Sequence, residues 1–253
     1  MLHIQELRTS YGYLPIKNDM NIAMFHIGRC GSTVISDMLN QRPDIYWDGE
    51  IYEPVNKLWD SETDFIDFLK YRVSLSPKFH YGFEIKFYHL RQIGCSLRAF
   101  LSILDDLNFN IILLKRRNYL KKVVSSLIAR VSGRWHIGSH ESVKKEIINI
   151  DPCNVSIDHN SKSLLDLLNE YDNDIKFLEN NSLINVNMVY EDDVADDPSK
   201  GYKTICRKFA LSDFPAEIKF SKTTPFLIKD VVSNYVELNK YLSGSKFEWM
   251  TKE

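Results

Sequence analysis

The sequence predicts an α/β fold with a central parallel β-sheet flanked by helices, and three observations carry that prediction. Short apolar runs suited to buried strands alternate with segments of helical periodicity along the chain. Two of those runs, at 21–27 (NIAMFHI) and 111–114 (IILL), pass almost directly into helix patterns. No repeat, low-complexity tract or linker divides the 253 residues, so one domain over 1–253 is expected.

Residues 21–27 read as a buried strand ended by Gly28, and 33–40 place Val34, Ile35, Met38 and Leu39 on one helical face. Residues 61–73 suggest a helix capped by Ser61 or Thr63 that buries Phe65, Phe68 and Leu69. Residues 81–87 alternate Phe83, Ile85 and Phe87 with Glu84 and Lys86, which reads as a strand with one polar face. Leu90, Ile93, Leu97, Phe100, Leu101 and Leu104 keep helical spacing over 90–107. The run 111–114 reads as a second buried parallel strand, leading into a helix marked by Leu120, Val123, Val124, Leu127, Ile128 and Val131. Lys121 and Lys122 read as its solvated face. Residues 132–160 lack periodicity, and a connection that long in a compact domain suits a substrate loop or lid. A helix near 161–179, a strand at 184–190 and a helix near 199–210 complete the alternation. The tail beyond Phe220 carries Phe226, Tyr235, Tyr241, Phe247 and Trp249, which would pin it to the body.

Charge narrows the function. Lys+Arg 32 against Asp+Glu 34 argues against a nucleic-acid binder, so any anion site must be local. No apolar run reaches the length of a membrane span, and the four cysteines form no CxxC or Cys/His cluster, which points to free thiols and a cytoplasmic setting.

The first such local site is Gly28-Arg29-Cys30-Gly31-Ser32-Thr33, between a strand and a helix. Glycines there let backbone N–H groups converge, the helix N-terminus adds partial positive charge, and Arg29 offers a planar fork for phosphate or sulfate oxygens. A plain strand–helix turn with an exposed Arg would look the same. The loop lacks the GxxxxGK[ST] spacing and the Lys of nucleotide triphosphatases, which disfavours a kinase or GTPase. The second site is Arg116-Arg117-Asn118, at a strand's carboxyl end, where ligands of open α/β sheets bind. Ser125 lies eight residues beyond Arg117. His136 and His140 lack a third ligand that would make them a metal pair.

These segments together resemble sulfotransferases that use 3′-phosphoadenosine 5′-phosphosulfate (PAPS), in particular bacterial carbohydrate sulfotransferases of the nodulation-factor and trehalose types. GRCGSTVISDMLNQRPDIYWDGE resembles their 5′-phosphosulfate loop, and LLKRRNYLKKVVSSLIARVSGRW their 3′-phosphate segment. VYEDDVADDP and SNYVELNKYLSGSKFEWM resemble stretches of the C-terminal third and tail. The resemblance spans about 21–250 and implies a P-loop-like three-layer fold. It implies that Arg29, Cys30, Gly31, Ser32 and Thr33 hold the 5′-phosphate and sulfuryl group, and that Arg117 and Ser125 hold the 3′-phosphate. Transfer would be direct, to a hydroxyl (or amine) of a carbohydrate or small metabolite, releasing adenosine 3′,5′-bisphosphate (PAP) without a metal. Glu50 would be the general base, with Glu53 as the alternative; Lys86, Trp135 and His136 are weaker substrate candidates. Bacterial relatives of this type can form homodimers. A small-molecule kinase and a non-catalytic nucleotide-binding module are the competing expectations.

Overall fold

The computed structural model describes residues 20–53 and 62–252. Five strands form one parallel sheet: β1 (Met20–His26), β2 (Ile45–Trp47), β3 (His80–Lys86), β4 (Phe109–Lys115) and the last strand, Ile184–Val189, in the order β2-β3-β1-β4-last. Side chains on a strand point alternately to opposite faces, and here both faces are covered. Ala23 and Phe25 enter one apolar cluster while Ile22 and Met24 enter another; Ile111 and Leu113 divide from Ile112 and Leu114 in the same way. That double burial makes β1 and β4 continuous apolar runs.

The smaller cluster is closed by α1 (Ser32–Asn40), through Val34, Ile35, Met38 and Leu39, and by the helix Pro198–Lys208. The larger cluster is closed by α2 (Glu62–Ser74), α3 (Phe87–Gln92), α4 (Leu97–Asp106), α5 (Tyr119–Ser132) and α6 (Leu164–Glu179). Phe65, Phe68 and Leu69 are buried as expected; Ser61 lies outside the described residues, as does the side chain of Thr63. The helix expected over 90–107 is two helices. Gly94, at φ 72°, ends the first, and Ser96 caps the second by accepting from the Ala99 N–H.

Residues 132–160 contain more order than their lack of periodicity suggested. Val155–Ile157 (β5) and Asn160–Lys162 (β6) form an antiparallel hairpin, and the β7 label falls to Ile184–Val189. Residues 137–139 pair with 219–221, and Ile148 with Val232. Helix α7 (Pro198–Lys208) begins with Asp197 as its cap and Pro198 in its first turn. Two short helices, α8 (Ile228–Val231) and α9 (Tyr235–Leu242), carry the tail back to the body. Phe226, Tyr235, Tyr241 and Phe247 pack on the larger cluster, whereas Trp249 is exposed. Among the described residues no helix is long and apolar enough to cross a membrane.

Two expectations about polarity are corrected. β3 does carry Glu84 and Lys86 on one face, but as an inner strand it encloses that face, and Glu84 meets His26 of the neighbouring strand. Lys122 is not solvated either. At 1% exposure its ammonium bonds Asp158 and, at 2.6 Å, the Tyr171 hydroxyl.

Candidate active site

β1 and β4 are neighbours whose crossovers lead to opposite edges of the sheet, to β2 and to β7, and this opens a crevice at their carboxyl ends. The loops after β1, β3, β4 and β7 all emerge there. After β1 the backbone takes three left-handed conformations in four residues: Gly28 at φ 81°, Arg29 at 54° and Gly31 at 79°. Gly31 has no substitute, because a Cβ there would stand 2.6 Å from Val194 Cγ1. Arg29 holds a conformation that L side chains disfavour by roughly 1–3 kcal/mol, a kind of strain that gathers at ligand sites.

The Arg29 guanidinium points into a cavity of about 330 Å³ lined also by Gly31, Ser32, Thr33, Arg116, Ser125 and Tyr190. Its Nε donates to Ser125 Oγ at 3.1 Å, one terminal nitrogen to the Trp135 carbonyl at 2.7 Å, and the other to Thr223. Burial, with Arg116 beside it, lowers its pKa to about 10, so the cation persists at neutral pH. Thr224 donates to Ser125 Oγ at 3.2 Å, giving a cluster of three hydroxyls around one cation. A second lobe of about 210 Å³ opens off the same residues toward Ser132, Arg134 and Lys144. Thr33 Oγ1 and His136 Nδ1 approach to 3.3 Å, so Trp135 and His136 do reach the glycine loop.

The two arginines after β4 diverge. Arg116 turns inward, donates to the Arg29 carbonyl at 2.6 Å and lies over the Tyr190 ring at 4.8 Å; burial lowers its pKa. Its Nε is buried without a hydrogen-bond partner, though Glu191 lies 3.8 Å away. Arg117 turns outward, is 54% exposed and pairs with both oxygens of Asp192. The structure brings Ser125 to Arg29 but does not bring Arg117 to Ser125. Tyr190 opens the π-turn Tyr190–Val194, a helical irregularity common at functional sites, which also presents Val194 to Gly31.

Beside Gly28 stands a second group of charges. Lys86, at the end of β3, reaches Glu50 and, at 3.4 Å, Glu53. Glu53 also accepts from the Tyr88 hydroxyl at 2.8 Å and from His89 Nε2 at 3.3 Å, and its other oxygen lies 3.4 Å from His159 Nε2. Burial pushes the Glu50 carboxyl up against the pull of Lys86. Burial works the same way on Glu53, but His89, Lys86 and Tyr88 outweigh it and hold that carboxyl below its ordinary range.

His26, Glu50 and Glu84 converge, as do Glu50, Glu53 and His89, at spacings a metal ion could span. Hydrogen bonding argues otherwise in both. Each Nδ1 accepts a backbone N–H, from Gly28 to His26 at 3.1 Å and from Lys86 to His89 at 3.3 Å. The Nε2 that faces the carboxylates therefore carries the proton and has no lone pair for a cation. For His26, burial opposes a second proton while Cys30 and Glu84 favour one and raise its pKa, but the Gly28 N–H aimed at Nδ1 leaves no place for that proton, and this contact decides for the neutral ring. Cys30 is fully buried, away from the cavity.

Thr223 and Thr224 line the cavity without having been singled out in the sequence, and of the pair Arg116-Arg117 it is Arg116 that lines it. The only signal for the threonines is a hydroxyl-rich SKTTP stretch without periodicity. No protein-family model matches the chain, and no curated protein is significantly similar to it.

Proposed function

We propose that this protein is a PAPS-dependent sulfotransferase with a P-loop-like core, moving the sulfuryl group directly to a hydroxyl of a carbohydrate or small-molecule acceptor. The observation that carries this reading is the convergence of Arg29, Arg116, Ser32, Thr33 and Ser125 on one cavity beside a carboxylate pair. The strand order and the glycine loop entering a helix support a phosphate-type ligand. The missing Lys-Ser/Thr pair speaks against a nucleotide triphosphate.

In this mechanism Arg29 and the loop N–H groups hold the 5′-phosphosulfate and stabilise charge on the leaving phosphate. Ser125, Thr223 and Thr224 take the 3′-phosphate, with Arg116 rather than Arg117 as the inward cation at the strand end. Glu50 accepts the acceptor's proton as its oxygen attacks sulfur, and a carboxyl raised by burial is the stronger base of the pair. Lys86 orients Glu50 and adds positive charge near the transferring oxygens. Sulfuryl passes from phosphate oxygen to acceptor oxygen, and PAP leaves.

Calorimetry with PAP, 5′-AMP and Mg-ATP tests the reading. PAP should bind at least about tenfold more tightly than 5′-AMP, a difference of about 1.4 kcal/mol, and sulfuryl transfer from PAPS should survive EDTA. Preference for Mg-ATP with magnesium-dependent turnover would replace it with the kinase reading. Binding of PAP without transfer to any hydroxyl would leave a nucleotide-binding module.

A further inference from the structure

A fully buried polar group lies under the glycine loop rather than in the cavity. His26 is the last residue of β1 and is fully buried; Glu84, on β3, is 5% exposed. Gly28 donates its N–H to His26 Nδ1 at 3.1 Å, which fixes the loop where it leaves the strand. On the other side of the ring, Nε2 stands 3.2 Å from Glu84 Oε2, a close approach that lacks the alignment of a hydrogen bond. Glu84 accepts from Trp47 Nε1 at 3.2 Å, and against burial the Ser32 and Ser36 hydroxyls, in the first turns of α1, help His26 hold its carboxyl low. Trp47 reaches it because residue 82 is glycine: a Cβ there would fall 2.3 Å from the indole ring. One buried carboxylate thus stands between the exit of the loop, at Ser32, and its entrance, at His26. Between the two lie Gly28, Arg29 and Gly31, all left-handed.

We infer that His26 and Glu84 are positioning residues that hold the strained anion loop in its binding conformation, with His26 acting as a neutral acceptor for the Gly28 N–H. Neither touches the donor; they act through Gly28 and Ser32. A buried histidine and carboxylate would be an expensive way to fill a core that Phe and Leu could fill, unless their directed hydrogen bonds set something that packing cannot. What they set is the direction of the Gly28 and Ser32 N–H groups and of the Arg29 side chain. The inference rests on the donor-site reading above.

The geometry makes an asymmetric prediction. Asparagine at 26 places its side-chain oxygen near the position of Nδ1 and can still accept from Gly28; glutamine reaches toward Glu84, like Nε2, and cannot. His26→Asn should therefore keep PAP affinity within about threefold, whereas His26→Gln should weaken it about tenfold, the scale of one lost hydrogen bond in the binding loop. Denaturation curves for both variants separate affinity from stability, since a merely structural histidine would lower the two together. The ¹⁵N imidazole signals of the wild-type protein give a second readout that needs no variant to fold: His26 should show Nδ1 bare and Nε2 protonated. A doubly protonated His26 overturns the inference, and so does equal loss of affinity in the two variants or none in either. Wild-type protein that ignores PAP would sink the donor reading and this inference with it; tight wild-type binding with symmetric variants would sink the inference alone.

Discussion

Glu50 and Glu53 lie on one tight turn, the Glu53 N–H donating to the Glu50 carbonyl at 3.1 Å, and both carboxylates reach the same Lys86 ammonium. An extended segment would have sent them to opposite sides; the turn brings them together and divides their work by environment. Glu53 is committed to Tyr88, His89, His159 and Lys86, while Glu50 has Lys86 as its hydrogen-bonded partner. Glu50→Gln should lower single-turnover sulfuryl transfer roughly 100- to 10,000-fold with PAP affinity nearly unchanged. Glu53→Gln should cost less turnover and more stability. Normal turnover in Glu50→Gln with collapse in Glu53→Gln would exchange the roles.

The same environment gives a pH profile. Burial raises the Glu50 carboxyl, and the base works only when ionised, so turnover should fall as pH drops through a value above the ordinary carboxylate range. In Glu50→Gln that acid limb should vanish from the residual rate. An acid limb unchanged in the variant would assign the titration elsewhere.

Arg116 and Arg117 test the donor end. Arg116→Ala removes the guanidinium that holds the Arg29 carbonyl and stacks on Tyr190, and should weaken PAP roughly 10- to 100-fold, the worth of a lost charge-assisted contact. Arg117→Ala loses an exposed pair with Asp192 and should change affinity less than about threefold. The reverse order, read by calorimetry, would restore Arg117 to the 3′-phosphate.

That pair also shows where sequence stops being legible. β1 and β4 could be read because burial on both faces writes itself as an unbroken apolar run. At the end of β4, successive residues point to opposite sides, so a spacing of eight to Ser125 does not reveal which arginine faces the cavity. In β3 the alternation was real but its meaning was not: periodicity reports polarity, and Glu84 is polar yet enclosed. Lys122 repeats the lesson, because only the β5–β6 hairpin, distant in sequence, supplies its partner Asp158. Thr223 and Thr224 reach Ser125 across nearly a hundred residues, a closure that no local pattern encodes.

Lys122 yields a stability prediction. Its ammonium is 1% exposed, whereas the Asp158 side chain is 19% exposed. Asp158→Ala strands a buried cation with Tyr171 as its remaining hydrogen-bond partner and should cost about 3–5 kcal/mol in urea unfolding. Lys122→Met leaves a carboxylate that can still find water and should cost less. Equal costs would mean that Lys122 loses its proton or moves out when unpaired.

His89 provides the test with a defined window. Burial, against the pull of Glu53, lowers its pKa to about 4 from an ordinary 6.5. Above pH 6.5 the ring is neutral in both folded and unfolded chains, and its full contribution to stability is present. As pH falls through 6.5 the unfolded chain binds a proton that the folded ring refuses, so stability declines, by at most about 1.4 kcal/mol per pH unit. The decline ends near pH 4, where the folded ring is protonated too and loses its acceptor contact with the Lys86 N–H. His89→Gln removes this titration while keeping a donor for Glu53. The variant should be less stable than wild type at pH 7, and the gap should narrow by roughly 2–3 kcal/mol by pH 4.5. Urea unfolding of both proteins across that range measures it. A gap that stays constant would show that His89 titrates alike in folded and unfolded chains, and a gap that widens would show it protonated in the folded protein already, with Glu53 holding an ion pair instead of a neutral hydrogen bond.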